Sequence, residues 1–289
     1  MTIVIIGKNG QLANEFKLLD TKLVCLGREE INVFQFNSMQ ETLKRYSPSV
    51  IINASAYTAV DKAESDKDAA FMLNHLAVKN LAEYSVQNSA HLVHVSTDYV
   101  FAGDKGSPYL VDEVYAPGSV YGASKVAGER AIIETGADNS CIIRTSWVYS
   151  QFGNNFVKTM LRLLDEKTEL AVIDDQIGTP TSASALAQAC LYAAQYNVTG
   201  IHHFTDAGVA SWYDFAVAIQ RIGLEQGLLS RRIPINPIPT SEYLTVAKRP
   251  SYSVLDKSTL KTSFNNMQPR HWQTELASVI DSLKHQQMN

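Results

Sequence analysis

The chain is predicted to be an α/β protein built on a doubly wound parallel sheet, with a smaller C-terminal lobe. Three observations carry that prediction. Apolar, β-branched runs suited to strands buried on both faces recur at Ile3–Ile6, 23–26, Val50–Asn53, 91–96 and 141–144. Stretches with apolar residues at helical spacing separate them, which is the alternation that produces parallel strands joined by crossover helices. The first run stops at Gly7-Lys8-Asn9-Gly10-Gln11-Leu12-Ala13, a glycine turn that opens directly into a helical pattern.

Taken in order, Ile3–Ile6 is apolar throughout and ends at Gly7, as a central strand should. In the turn that follows, Gly7 permits the tight bend, Gly10 lets the backbone approach a pyrophosphate, and the small Ala13 allows close packing of helix on strand. Leu12, Phe16 and Leu19 form the buried stripe of the next helix. The second strand, 23–26, runs into Gly27-Arg28 at the distance where such sheets meet an adenosine ribose. A carboxylate there would accept from ribose hydroxyls, whereas Arg28 suits a 2′-phosphate and so points to NADPH. The competing reading of Arg28 is an exposed loop arginine beside Glu29 and Glu30.

The third strand, Val50–Asn53, ends in Ala54-Ser55-Ala56-Tyr57, small residues across which a cofactor can lie, and one long helix over 63–88 is expected to cross back. The fourth strand ends in Ser96-Thr97-Asp98-Tyr99, which puts Thr97 and Asp98 where open α/β sheets bind their ligands. His91 and His94 lie three apart, pointing to opposite faces of a strand, and are read as structural rather than as metal ligands. A helix is predicted over Val120–Glu134 and a fifth strand over 141–144. Beyond Trp147, helices are expected over 156–164 and 182–196, a late strand at 200–204 returning to the sheet, a helix capped by Ser211, and a loop or edge segment from Pro234 to Pro239. This divides the chain into a dinucleotide-binding region, 1–147, to which 170–205 returns, and an interleaved lobe, 148–289.

The predicted helix 120–134 carries Tyr121-Gly-Ala-Ser-Lys125. Positions four apart share a helix face at ~5–6 Å, so the Lys125 ammonium can lie near the Tyr121 phenol. A cation at ~4 Å in an effective dielectric of ~20 contributes up to ~4 kcal/mol, enough to lower a phenol pKa of ~10 by two or three units. Tyr121 could then protonate an oxygen that gains charge during hydride transfer, a role worth ~10²–10⁴ in rate. The spacing by itself equally fits a surface tyrosine and a solvated lysine.

With 289 residues, 45% of them hydrophobic and a net charge of −4, the chain can bury a large core and has no basic surface suited to nucleic acid or anionic membrane. No window approaches eighteen apolar residues, so no membrane span is expected. The N-terminal run is too short for a signal peptide, and Cys25, Cys141 and Cys190 sit apart in apolar segments, so a cytoplasmic protein with free thiols is expected.

The glycine turn, Ser96-Thr97-Asp98 and Tyr121-x-x-x-Lys125 together resemble the extended short-chain dehydrogenase/reductase superfamily, with its Rossmann cofactor domain. More narrowly, 96–101, Arg144-Thr145-Ser146-Trp147-Val148-Tyr149, Gly153-Asn154-Asn155-Phe156 and Asp175-Gln176-Ile177-Gly178-Thr179-Pro180-Thr181 look like the dTDP-4-dehydrorhamnose reductase family, over residues 1 to about 285. The resemblance implies an oxidoreductase of dTDP-rhamnose biosynthesis, and hence of polysaccharide biosynthesis, that uses NADPH, with NADH as an alternative, on a nucleotide-sugar substrate. It implies Tyr121 as proton donor, Lys125 as its partner and nicotinamide-ribose ligand, and Thr97 as the tuning hydroxyl. Gly7, Gly10, Gln11 and Leu12 would take the pyrophosphate, and Ala54, Ala56 and Tyr57 the adenosine side. Asp98 and Trp147 would line the sugar pocket, with Asn154 and Asn155 supplying amides; Trp147 also reads as a core aromatic. Arg249, in Arg249-Pro250, reads either as reaching towards a nucleotide diphosphate or equally as an ordinary surface arginine.

Some members of the family dimerise through magnesium. Glu15 matches one ligand, but Ser184 stands where another carboxylate is expected, so no metal is predicted and a homodimer stays open. A catalytically idle nucleotide-binding subunit is the rival reading, and the presence of Thr97, Tyr121 and Lys125 together favours the enzyme.

Overall fold

The computed structural model describes residues 1–288. Its centre is a parallel sheet of β1 (Ile3–Ile6), β2 (Val24–Leu26), β3 (Val50–Asn53), β4 (His91–Thr97), β5 (Ser140–Thr145) and a late strand, Gly200–His203. From one edge the chain order is β2, β1, β3, β4, β5 and then the late strand, with Ile5 beside Cys25 and Ile52, and Thr97 beside Thr145. The order reverses between β1 and β3, and the crevice outside the carboxyl ends of strands at such a reversal is where these sheets take ligands.

Helices cover both faces. Gln11–Leu19 and Ala183–Tyr196 bury Leu12, Phe16, Leu186 and Cys190 against Ile5, Ile52 and Ile143 on one side. On the other, Met39, Leu43, Leu81 and Ile132, from Phe36–Tyr46, Ala77–Asn88 and Val120–Glu134, pack on Val4, Ile51 and Ile142. The strands are apolar on both faces because both faces are covered.

The crossover between β3 and β4 is not the single helix that its composition predicts. Val60–Ala63 and Lys67–Phe71 are separate turns, and Met72–Leu76 is a π-helical segment leading into Ala77–Asn88. The widened turn has a packing partner: Gly128, in the helix Val120–Glu134, lies where a Cβ would meet the Asn74 carbonyl oxygen at 2.2 Å. A π-bulge redirects side chains locally, and here it brings Asn74 under the loop after β3.

The remaining strands are β6 (Val148–Tyr149), β7 (Leu170–Ile173), β8 (Ile177–Gly178), β9 (Thr181–Ser182), β10 (the late strand Gly200–His203), β11 (Ala210–Ser211) and β12 (Ile235–Ile238). β7 pairs with β12 in a separate two-stranded sheet instead of joining the main one, so the return to the Rossmann sheet starts with Ala183–Tyr196 and not at residue 170. The second lobe has its own core, in which Val157, Met160, Phe215, Ile219, Trp272 and Leu276 meet. Ser211 caps Trp212–Glu225 in a full capping box with Asp214.

Candidate active site

The glycine turn is shaped by two different demands. Gly7 has φ +120, and a Cβ on it would press on the Ala54–Ser55 backbone at 3.0 Å, so the loops after β1 and β3 can touch only through glycine. Gly10 is under no such pressure: its φ is −71 and a Cβ would meet only the Gly7 carbonyl oxygen, at 3.5 Å. It caps Gln11–Leu19 without any side-chain hydrogen bond, leaving the first-turn N–H groups of Gln11, Leu12 and Ala13 to the crevice. A helix start of this kind suits an anion, so the residues present fit the pyrophosphate of a dinucleotide.

Ala54, Ala56 and Tyr57 form the half-buried loop on the other side of the crevice. Asn74, a residue with no recognisable sequence signal, clamps that loop. Its Oδ1 accepts from the Tyr57 N–H at 2.8 Å, and its Nδ2 donates to the Tyr57 carbonyl (3.1 Å) and to Ser124 Oγ (2.9 Å). Arg28 is exposed at the end of β2. Its neighbour Glu30 is engaged instead by Lys8 and by the Gly27 N–H, at 2.9 Å, so this carboxylate is turned to the glycine turn.

At the carboxyl end of β4, Thr97 Oγ1 donates to Asp98 Oδ1 at 2.9 Å, and both side chains are buried. Burial pushes the Asp98 carboxyl up to about 6. The helix Val120–Glu134 has the predicted bounds and is capped by Ser119, whose hydroxyl accepts from the Gly122 N–H. Gly122 is needed because a Cβ there would stand 2.3 Å from the Tyr99 carbonyl oxygen. That close approach brings Tyr121 to Thr97 and sets its ring edge-on to Tyr99, centroids 5.4 Å apart.

One expectation about this pair needs correction. Lys125 was expected to lower the Tyr121 pKa. Burial instead raises the phenol, and the group that opposes burial is the Thr97 hydroxyl. The Lys125 ammonium, 1% exposed, donates to the Val95 carbonyl at 2.8 Å and lies 3.3 Å from His94 Nε2. Its own pKa is pushed down to about 8, mainly by burial, with Glu129 opposing. His94, buried and hydrogen-bonded, thus lies directly against Lys125, and it is part of no metal-holding group among the described residues. A polar residue in an otherwise apolar buried strand was the available signal. His91 is separate, bonded to Asn139.

Trp147 follows β5 with a left-handed φ of 48. Its indole stacks on Trp212 with centroids 3.6 Å apart and 10° between planes, and Gly178 makes room for it, since a Cβ there would lie 2.7 Å from Cε2. Next to this stack a cleft of about 240 Å³ is lined by Phe156, Met160, Val172, Trp212, Tyr243 and Arg249. Arg249 is paired with Asp61 at 2.6 Å. Asn155 is not a free amide: it caps Phe156–Glu166 through the Lys158 N–H and donates to Gln11 Oε1 at 2.9 Å, so it ties the second lobe to the glycine turn.

Behind these residues, Arg144 and Glu129 form a fully buried ion pair at 2.7 Å that also takes in Tyr115 and Ser96. It fastens β4, β5 and the Tyr121 helix together. Glu15 accepts the Ser150 hydroxyl at 2.5 Å and borders a cavity of about 380 Å³ with Ser184 and Glu275. No group of three or more His, Cys, Asp or Glu side chains that could hold a metal occurs among the described residues. No helix among them is long and apolar enough to cross a membrane.

The family model described as RmlD substrate binding domain matches residues 1–285. The chain belongs to this family. A dTDP-4-dehydrorhamnose reductase of Aggregatibacter actinomycetemcomitans is 39% identical over 96% of this chain and 97% of its own. A crystal structure of a dTDP-4-dehydrorhamnose reductase from Clostridium acetobutylicum superposes with a TM-score of 0.91 at 37% identity, covering 98% of this chain and all of the other. The Bacillus anthracis enzyme, solved in complex with NADP, gives 0.90 at 32% identity over the same shares. Members so similar over the full length are oxidoreductases, and the chain is one too.

Proposed function

We propose that the chain is an NADPH-dependent reductase that delivers hydride to the 4-keto carbon of a nucleotide-linked 6-deoxyhexulose, converting dTDP-4-dehydro-L-rhamnose to dTDP-L-rhamnose. The observation that carries this reading is the convergence of Thr97, Tyr121 and Lys125 at the carboxyl end of β4, beside the crevice of the sheet. Bound NADPH supplies the hydride. The N–H groups of Gln11 and Leu12 hold its pyrophosphate, Ala54, Ala56 and Tyr57 its adenosine side, Arg28 its 2′-phosphate and Lys125 its nicotinamide ribose.

Tyr121 gives its proton to the 4-oxygen as that oxygen gains charge, and the Thr97 hydroxyl holds the same oxygen in place. Trp147, fixed by Trp212, is a flat apolar wall for a deoxysugar ring and its methyl group. Binding the distant nucleotide diphosphate spends its energy on orienting the keto carbon, so the free sugar should turn over far more slowly. The free thiols of Cys25, Cys141 and Cys190 fit a reducing cytoplasm.

The test is NADPH oxidation against a panel of nucleotide-linked 4-keto-6-deoxysugars. Wild type should reduce dTDP-4-dehydro-L-rhamnose, and Tyr121→Phe should lose ~10²–10⁴ in kcat while binding NADPH within a few-fold of wild type. Tight NADPH binding with every sugar inert would replace this reading with that of a nucleotide-binding subunit.

A further inference from the structure

The contacts of Lys125 decide more than its position. His94 is fully buried, and its Nδ1 lies 3.1 Å from Asn53 Nδ2. The Asn53 amide has only one workable orientation, because its Oδ1 accepts from the Ser55 backbone N–H at 3.1 Å and from the Ser55 hydroxyl at 2.7 Å. A backbone N–H can only donate, so the amide oxygen must face Ser55 and the NH₂ must face His94. An NH₂ also only donates, so His94 Nδ1 must accept. A neutral imidazole with an accepting Nδ1 carries its proton on Nε2. Burial and the neighbouring Lys125 both hold His94 well below its ordinary pKa, so the doubly protonated ring is disfavoured.

The Nε2 proton therefore points at Lys125 Nζ across 3.3 Å. An ammonium opposite it would set two donors face to face, whereas an uncharged amine would accept the bond. The titratable groups around Lys125 are few: His94 from β4 and Glu129 on its own helix, where Tyr121 lies one turn earlier, and Glu129 is already bound to Arg144.

We propose that Asn53 and His94 are positioning residues that set the proton count of Lys125, presenting an N–H that stabilises its uncharged form. The consequence deepens the proposed reduction, on which it rests. When Tyr121 has given its proton to the substrate oxygen, the phenolate takes one from the Lys125 ammonium. The amine left behind accepts the His94 Nε2–H bond and regains a proton from solvent water before the next turnover. A lysine held in this way is a better donor to the phenolate than one held charged.

Asn53→Asp tests the idea without changing shape. Its second carboxylate oxygen would accept from Nδ1–H, moving the imidazole proton and leaving Nε2 as an acceptor for the ammonium. The alkaline limb of kcat should move up by about one to two pH units, the size of a hydrogen bond to a charged group. At neutral pH, kcat should fall roughly tenfold while KM for NADPH stays within about threefold. His94→Gln, whose amide can turn its oxygen to Lys125, should move the limb in the same direction. An unmoved limb in both variants overturns the proposal, and so does a fall in Tm and kcat without any shift of the limb. Nitrogen-15 NMR of His94 separates this outcome from failure of the reductase reading, because it needs no substrate. The proposal requires Nε2–H in wild type and Nδ1–H in Asn53→Asp, and Nδ1–H in wild type would refute it.

Discussion

Gly10→Ala separates what the glycine turn does for the fold from what it does for a cofactor. A methyl group at Gly10 makes ordinary contact with the Gly7 carbonyl oxygen at 3.5 Å and needs no change in a φ of −71. Reducing unfolded-state freedom stabilises by ~0.4–1 kcal/mol, and alanine as a poorer helix cap costs about as much, so Tm should move by no more than a few degrees. If the pyrophosphate lies over this turn, as proposed, the same methyl comes between it and the N–H groups of the first helical turn. A hydrogen bond to a charged group contributes ~1.5–3 kcal/mol, so losing one weakens NADPH binding roughly 10- to 150-fold. Calorimetric titration with NADPH, with Tm measured on the same samples, reads both quantities. A Kd within about threefold of wild type in a variant of unchanged Tm would show that the pyrophosphate does not lie over this turn. Gly7→Ala is the contrasting control: with φ +120 and backbone at 3.0 Å, it should lower Tm whether or not cofactor binds there.

Arg28→Ala should narrow the preference for NADPH over NADH by less than the ~1.5–3 kcal/mol of a charged hydrogen bond, since Arg28 is exposed and its site is wet; equal kcat/KM for both cofactors in wild type would remove Arg28 from the 2′-phosphate. Gly178→Ala puts a methyl within 2.9 Å of Trp147 and Ser253, so the indole stack must shift at a cost of ~1–3 kcal/mol. It should raise KM for the sugar nucleotide and spare the Kd for NADPH, and an unchanged KM would detach Trp147 from the sugar. Asp206, buried and pushed up to about 8 chiefly by burial, keeps its proton in the folded state at pH values where the unfolded chain, near ~4, has lost it. Its contribution to stability is therefore present in acid and lost as pH rises towards 8. Asp206→Asn should flatten the decline of Tm between about pH 5 and 8, and an identical slope in the variant would place the titrating group elsewhere.

Much of this architecture is legible in one dimension because its physics is local. Ile3–Ile6 followed by Gly7 can be little other than a buried strand entering a tight turn, and the helix expected over Val120–Glu134 has those bounds in the structure. Ser211 and Asp214 mark another helix start by a pattern four residues long. The same locality makes Tyr121 and Lys125 neighbours on one helix before any tertiary contact is known. What remained hidden depends on distant partners. The π-turn at Met72–Leu76 follows from Gly128 meeting the Asn74 backbone, 54 positions away in sequence, and propensity over 63–88 contains no trace of it. Asn155 reads as an available amide until its helix is placed beside Gln11. Residue types and their spacing thus determined which groups can do chemistry here. Their charge states were decided only by the folded surroundings, because burial and the direction of a hydrogen bond are properties of three-dimensional neighbours: Ser55 orients Asn53, Asn53 orients His94, and His94 meets Lys125.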